Sequence, residues 1–457
     1  MLGTPDVTDD EKHYILDSQR LLNNDPYISI RHHTFRHPEP SIGHPFLYQI
    51  EQVAIFKILG LSVYTARLPN ALSGIATVLV LFFFTKQLGG KVAALAAFLV
   101  AILPMAVRYS KNAQLDTVFG LWITIIALSI WKYLENKNRF WLLMAGVATA
   151  FSISTKLNGI YTAPMVLLLL FFAKEEKFGF KLIKAKVVDS IWIFLPAATI
   201  ALLLNNPYSY IDGIIHPSFQ AYSFFSKTFY TQTVPILFSP TEFLYFFKTN
   251  LLLLSPGLLF TLLVSWFFLI FKIRGYVVRF LVLWIVPLFN IFIIHGLDLF
   301  GAYGWVPLIP PTALGIAYWL NTLSKQMRNI LVLLITVNIL PFLFLYGLLF
   351  AVFPQKNYPL NHNKTISDHF YQDIIKEVNE ITPKNGRVLF LPQSYYPLFA
   401  LRTDISWSYE AGGLGYNTYV VDNLSLVNKL DDVKLVDVKQ GQQDGDYLLR
   451  YIFLSLN

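Results

Sequence analysis

The chain has 457 residues, of which 55% are hydrophobic and 14% charged, with a net charge of +8, a mean hydropathy of +0.50 and no cysteine. A soluble domain carries about 25% charged residues, so a string of water-soluble domains is excluded, and the missing cysteine removes disulfide and thiolate chemistry. The positive charge requires no nucleic-acid partner, because Lys and Arg fall in short segments between apolar runs, where membrane topology explains them.

Met1 is followed at once by a polar stretch, Thr4 to Arg36, with no cleavable leader pattern. From His44 to Gly60, Phe46, Leu47, Ile50, Val53, Ala54, Ile58 and Leu59 recur at helical spacing, interrupted by Gln49, Glu51, Gln52 and Lys57. This pattern predicts an amphipathic helix in the membrane interface, stopped by Gly60. A short extra span is the alternative, but Glu51 and Lys57 would each be costly at mid-membrane. Apolar runs of about 17–25 residues then follow, the length that crosses a bilayer core. Their expected cores are Pro69–Thr85, Val92–Val107, Thr117–Trp131, Phe140–Ser154, Ile160–Phe172, Val187–Leu204, Leu251–Phe271, Val277–Ile294, Val306–Leu320 and Ile330–Phe353. A polar and aromatic loop, Asn205 to Lys248, separates the sixth from the seventh.

Alternate connections differ in charge. One set holds Lys86 and Lys91; Lys132, Lys137 and Arg139; five lysines from Lys174 to Lys186; Lys272, Arg274 and Arg279; Lys325 and Arg328. The other holds Arg108, Lys111, Lys156, Lys227 and Lys248. The richer set is expected in the cytoplasm. The N-terminal stretch, the Asn205–Lys248 loop and the tail after Phe353 then face outward. Both ends of the chain fall outside, which leads us to expect one further span upstream. In the tail, Ser367–Ile381 reads as a helix, Lys384-Asn385-Gly386 as a turn, and Val388–Leu391, Ile405–Tyr409 and Tyr447–Leu454 as strands. The expected fold class is an all-α polytopic membrane protein with a small C-terminal extracytoplasmic α/β domain. Residues 1–353 form the membrane domain (1–68 an outer loop and interfacial helix, 69–353 about ten spans), and residues 354–457 form the soluble one.

The outward segments hold the residues that could carry chemistry. Asp9-Asp10-Glu11 stands beside His13 and Tyr14, and adjacent carboxylates near an interfacial helix offer a general base or simply a solvated surface. Arg67-Leu68-Pro69 opens the first span, where Arg67 could snorkel or bind an anion. Arg108 to Asp116 joins two spans. Asp116 could cap a helix or hold a neighbouring base or cation. In Thr155-Lys156-Leu157-Asn158-Gly159, Lys156 is the one basic residue of a tight outer turn, against the positive-inside trend, so an anion such as a phosphate headgroup suits it. Tyr303 and Trp305, in Gly301–Pro307, read as belt aromatics or ligands. His32, His33, His37 and His44 raise a divalent metal, but Pro38 and Pro40 interrupt the helix that the His33–His37 spacing would need. His13 or His44 alone could assist proton transfer or bind phosphate.

In order and spacing these residues resemble the GT-C membrane glycosyltransferases that use polyprenyl-phosphate sugars, closest to the protein O-mannosyltransferase and aminoarabinose (lipid A) transferase group. The likeness runs from about Asp6 to Tyr318. Asp10-Glu11 with Tyr14 fits that group's first-loop pattern, and His44-Pro45-Phe46-Leu47-Tyr48 its juxtamembrane motif. Ala66-Arg67-Leu68-Pro69, then Pro104, Arg108 and Asp116, then Thr155-Lys156 follow in sequence. Tyr303, Pro307 and Pro310 fit a later motif, although Ala302 stands where the group commonly has Arg. The group's first span, upstream of the acidic pair, is absent from this sequence.

The resemblance implies direct, inverting displacement at the sugar's anomeric carbon. Asp10 would activate the acceptor hydroxyl, with Glu11 or Asp116 orienting the site. Lys156, supported by Arg67, Arg108, Tyr303, His44 and Tyr14, would hold the donor phosphate. No cofactor is implied, and a divalent metal is kept only as an alternative. The expected partners are the polyprenyl-phosphate sugar donor, membrane lipid, and a protein, lipid or glycan acceptor, at the outer face of the cell membrane. A multi-pass transporter or lipid flippase is the competing class, favoured by the prolines inside spans. A non-catalytic scaffold would leave the Asp10, Asp116 and Lys156 pattern unexplained.

Overall fold

The computed structural model describes residues 9–22, 47–156, 159–160, 162–174, 179–204, 255–270, 275–294, 306–344, 369–390, 405–408, 418–421, 433–443 and 446–455. Two compact units emerge: residues 26–354 with the first two residues, and residues 3–25 with 355–457. The described part of 3–25 is the helix Asp9–Leu22, which groups with the second unit.

The first unit is a helical bundle. α2 (Leu47–Leu59) falls on the segment expected to form an amphipathic helix, and Gln49, Gln52 and Phe56 are among its buried residues. It ends at Gly60, whose positive φ of 80° closes the helix with an N–H bond to the Phe56 carbonyl at 2.9 Å. α3 (Val63–Thr85) starts on a capping box: Ser62 Oγ accepts from the Thr65 N–H at 3.2 Å, and Thr65 Oγ1 accepts from the Ser62 N–H at 2.9 Å. The burial pattern of α3 is that of a membrane helix. Leu72, Ile75, Leu79 and Phe83 form an exposed apolar stripe, while Asn70, Ser73, Thr77 and Thr85 face inward among apolar neighbours. Lipid tolerates the apolar stripe, and small polar residues allow close helix packing.

The further helices of this unit are α4 (Gly90–Ile102), α5 (Pro104–Lys111), α6 (Leu115–Asn136), α7 (Phe140–Thr155), α8 (Thr162–Phe172) and α9 (Phe180–Leu204), then α10 (Pro256–Ile270), α11 (Tyr276–Ile294), α12 (Ile309–Asn321) and α13 (Lys325–Phe342). Within the described residues each expected span falls on helical structure, while 251–254 and 271 of the seventh and 345–353 of the tenth lie outside the described residues. Three of the described helices are long and apolar enough to cross a membrane, or four if α4 and α5 count as one broken span. The chain is a membrane protein.

One expected span differs in form. Val92–Val107 is not one helix: it breaks at Leu103, and α5 leaves at 59° to α4. Pro104 has no N–H to continue the ladder, so a new helix starts there. α6 is buried along most of its length and packs against α3 and α7, while α7 packs against α9 and α4 against α12. A Cβ on Gly146 of α7 would stand 2.7 Å from the Ile193 carbonyl of α9, so that crossing requires glycine.

The second unit holds α1 (Asp9–Leu22), α14 (His369–Ile381) and a five-stranded sheet. The strands are β1 (Arg387–Phe390), β2 (Ser406–Ser408), β3 (Thr418–Val421), β4 (Val433–Gln443) and β5 (Asp446–Ser455), in the order β2-β1-β3-β5-β4. β1 pairs in parallel with β2 and β3, placing Val388 beside Thr418 and Trp407. β5 runs antiparallel to β3 and β4. Ile374, Ile375 and Val378 form the buried face of α14, and Thr382 and Thr418 join helix end to sheet through their hydroxyls at 2.8 Å.

Candidate active site

The α5–α6 turn and the end of α7 make the best-defined polar cluster of the first unit. Asp116 lies in the first turn of α6, where the helix dipole favours a negative charge. It does not cap the helix. Its Oδ1 instead accepts from Lys156 Nζ at 2.7 Å, and the two side chains are only 9% and 14% exposed. Lys156 ends α7 in extended conformation, its N–H bonded to the Ser152 carbonyl at 3.1 Å, which turns the side chain off the helix. A largely buried, charge-assisted pair of this kind fixes both groups in place. The Lys156 ammonium is thus oriented by the Asp116 carboxylate.

A second group gathers cations. Arg67 on α3 is fully buried. Arg108 and Lys111 occupy the last turn of α5, three residues apart and so on one helix face, and both are buried. Arg67 and Arg108 both act electrostatically on Lys111. The sequence reading took Arg108 and passed over Lys111. Their spacing was the signal that could have found it.

Polar side chains hold the frame. Asn70 Nδ2 donates to the Gln114 carbonyl and to the Tyr109 carbonyl, the latter at 3.4 Å, tying the α5–α6 connection to α3. Gln52 of α2 donates to the Ala66 carbonyl at 2.8 Å, beside Arg67. Asn70 Oδ1, Asn112 Oδ1, Gln114 Oε1 and Thr117 Oγ1 are buried and make no hydrogen bond. Orphaned buried polar atoms are uncommon in proteins, and four of them flank the Lys111–Asp116 segment.

The other expected site residues are not brought to this cluster by anything described. Asp10, Glu11 and Tyr14 lie on α1 in the second unit, where Glu11 and Tyr14 are buried. The Asp10 side chain, His44, Tyr303 and the histidines at 32, 33 and 37 lie outside the described residues. Among the described residues no group of three His, Asp or Glu side chains could hold a metal ion.

Residues 40–212 match the family described as dolichyl-phosphate-mannose-protein mannosyltransferase. YkcB of Bacillus subtilis (strain 168), named as a mannosyltransferase, is 27% identical over 160 residues, which is 35% of this chain and 22% of that protein. ArnT from Cupriavidus metallidurans, solved bound to undecaprenyl phosphate, superposes with a TM-score of 0.65 at 16% identity, covering 97% of this chain and 94% of ArnT. The Archaeoglobus fulgidus oligosaccharyltransferase AglB, solved with an inhibitory peptide and a dolichol-phosphate, gives 0.54 at 12% identity, over 97% of this chain and 70% of AglB. The chain therefore has the fold shared by ArnT and AglB, and residues 40–212 match the family described as dolichyl-phosphate-mannose-protein mannosyltransferase.

Proposed function

We propose that the protein transfers a sugar, mannose or a relative, from a polyprenyl-phosphate carrier to an acceptor hydroxyl at the outer face of the cell membrane. The observation that carries this reading is the Asp116–Lys156 pair beside the cations Arg67, Arg108 and Lys111, at one end of a bundle with the GT-C fold. A phosphodiester donor suits such a cluster. The acceptor oxygen attacks the anomeric carbon as the bond from that carbon to the phosphate oxygen breaks. The polyprenyl phosphate leaves with the electron pair. Lys156, oriented by Asp116, and the neighbouring guanidinium groups stabilise the growing charge. The acceptor's proton needs a base, the role that the resemblance in sequence gives to Asp10. The cations supply the charge stabilisation that a metal would otherwise give, so activity should survive chelation by EDTA. The acceptor is a protein, lipid or glycan.

The break between α4 and α5 is the one feature that favours the transporter reading, since carriers build midplane sites from broken helices. Arg108, Lys111 and Asp116 gather at the end of the bundle rather than its middle, which suits an interfacial enzyme better. Stereochemistry tests the reaction. Transfer from an anomerically pure polyprenyl-phosphate sugar in membranes should give product of inverted configuration by NMR. Retained configuration, or movement of intact donor across the bilayer without transfer, would overturn it.

A further inference from the structure

The link from Lys111 to Asp116 carries two charged groups of the site and has little of its own to hold it. α5 ends at Lys111, and Asn112 and Gln114 are extended on either side of Ala113. Gln114 takes the N-cap position of α6, yet its side chain makes no capping bond. Asp116, in the first turn, engages Lys156 instead. A helix commonly starts on a side chain that accepts from its first free N–H groups. Here the start of α6 is held from another helix.

That helix is α3. Asn70 is fully buried. Its Nδ2 donates to the Tyr109 carbonyl at 3.4 Å, in the last turn of α5, and to the Gln114 carbonyl, at the start of α6. Both partners can only accept, which fixes the side-chain amide with its NH2 toward them. One group therefore bonds both sides of the link. Arg67 stands three residues before Asn70 on α3, and so on the same face. One turn further along, a Cβ on Gly74 would stand 2.9 Å from Ser110 Cβ. α3 and α5 thus meet closely at Ser110, and the Asn70 bonds extend that contact to α6.

We propose that Asn70 is a positioning residue for sugar transfer. By bonding both sides of the link it sets Asp116, and through it the Lys156 ammonium, against the cations Arg67, Arg108 and Lys111. It acts through Asp116 and does not itself touch the reacting atoms. The proposal rests on the glycosyltransferase reading above and adds the residue that sets the spacing inside that site. A shift of the Asp116 carboxylate carries the bonded ammonium with it, and misplacement by about 1 Å costs about 100-fold in rate.

The test is a double-mutant cycle on the full protein in native-lipid vesicles, with polyprenyl-phosphate mannose as donor, joined to hydrogen exchange. Asn70→Leu keeps the branched shape and loses the N–H groups. It should lower kcat about 100-fold, with KM for the sugar donor changed by about twofold or less. Amide exchange across residues 109–118 should speed up about tenfold, while residues 119–136 keep the parent rate. Added to Asp116→Asn, which removes the group being positioned, Asn70→Leu should cost about twofold or less. Losses that multiply in the double variant would show a separate structural role and overturn the proposal. Parent-like exchange across 109–118 would also overturn it. If Asn70→Leu fails to fold, Asn70→Ser, too short to reach both carbonyls, takes its place in the cycle. Absence of transfer by the parent protein, with the exchange difference intact, would overturn the reaction and leave the tether standing.

Discussion

The two ends of the helical bundle carry similar residue types and use them differently. At the end holding the start of α7, Tyr133 donates to Asp189 at 2.5 Å, Trp131 to Glu135 at 2.7 Å, and Lys174 to the Leu134 carbonyl at 2.9 Å. Lys137 stands over the Tyr133 ring at 5.4 Å. These charged groups find their partners among themselves, although Ser129 Oγ of α6 and the Tyr276 hydroxyl and Trp284 Nε1 of α11 make no hydrogen bond. At the opposite end one ion pair stands beside three buried cations and four orphaned amide or hydroxyl oxygens. A closed network rigidifies helices. A cluster with polar atoms to spare is suited to a ligand.

Breaking the pair at the second end should give the largest effect. Asp116→Asn and Lys156→Ala are each expected to lower kcat by about 100-fold or more, the usual cost of losing a positioned charge, measured as sugar transfer in vesicles. Arg108→Gln and Lys111→Met should act next, chiefly through donor KM and by about tenfold, since each removes one charge-assisted contact to phosphate. At the first end, Asp189→Ala should cost about 1–3 kcal/mol of stability by removing the buried acceptor of the Tyr133 hydroxyl, seen as a lower Tm in detergent. Its transfer rate per folded molecule should match that of the parent protein.

The smallest effect concerns α2, which supports Arg67 through Gln52. Burial pushes the Glu51 carboxyl up from 4.5 to about 7. The folded state therefore holds this proton more tightly than the unfolded chain. The resulting stability is fully present below pH 4.5 and is lost as pH rises through about 7. Glu51→Gln should flatten that part of the stability profile, and an unchanged slope would show that another group sets it.

Most of the bundle could be read from apolar run length, because a span must be long and apolar whatever its neighbours. The break at Leu103 was harder, since the run from Val92 to Val107 stays apolar across Pro104 and an average over the window hides a change of direction. In the tail, β3 and β4 escaped the sequence reading. β3 is only four residues long, and β4 carries an irregularity between Leu435 and Asp437 that shifts its alternation of faces. The grouping of α1 with the second unit is a property of three-dimensional contacts, which local patterns do not encode.

The candidate site was legible in part. Asp116 and Lys156 stood out because each is a lone charge where an apolar run begins or ends, but their mutual bond spans 40 residues and only the fold displays it. Lys111 was hidden by Arg108, and Asn70, Asn112 and Gln114 carry no charge to draw notice. Their significance lies in being buried with oxygens unbonded, which is a property of three-dimensional packing.

The most direct measurement is sugar transfer from polyprenyl-phosphate mannose in vesicles, run side by side for the parent protein, Asp116→Asn and Asp189→Ala at equal folded amounts. The account predicts transfer by the parent and by Asp189→Ala, and loss in Asp116→Asn. Transfer by Asp116→Asn at the parent rate, or equal loss in both variants, would contradict the assignment of chemistry to one end of the bundle.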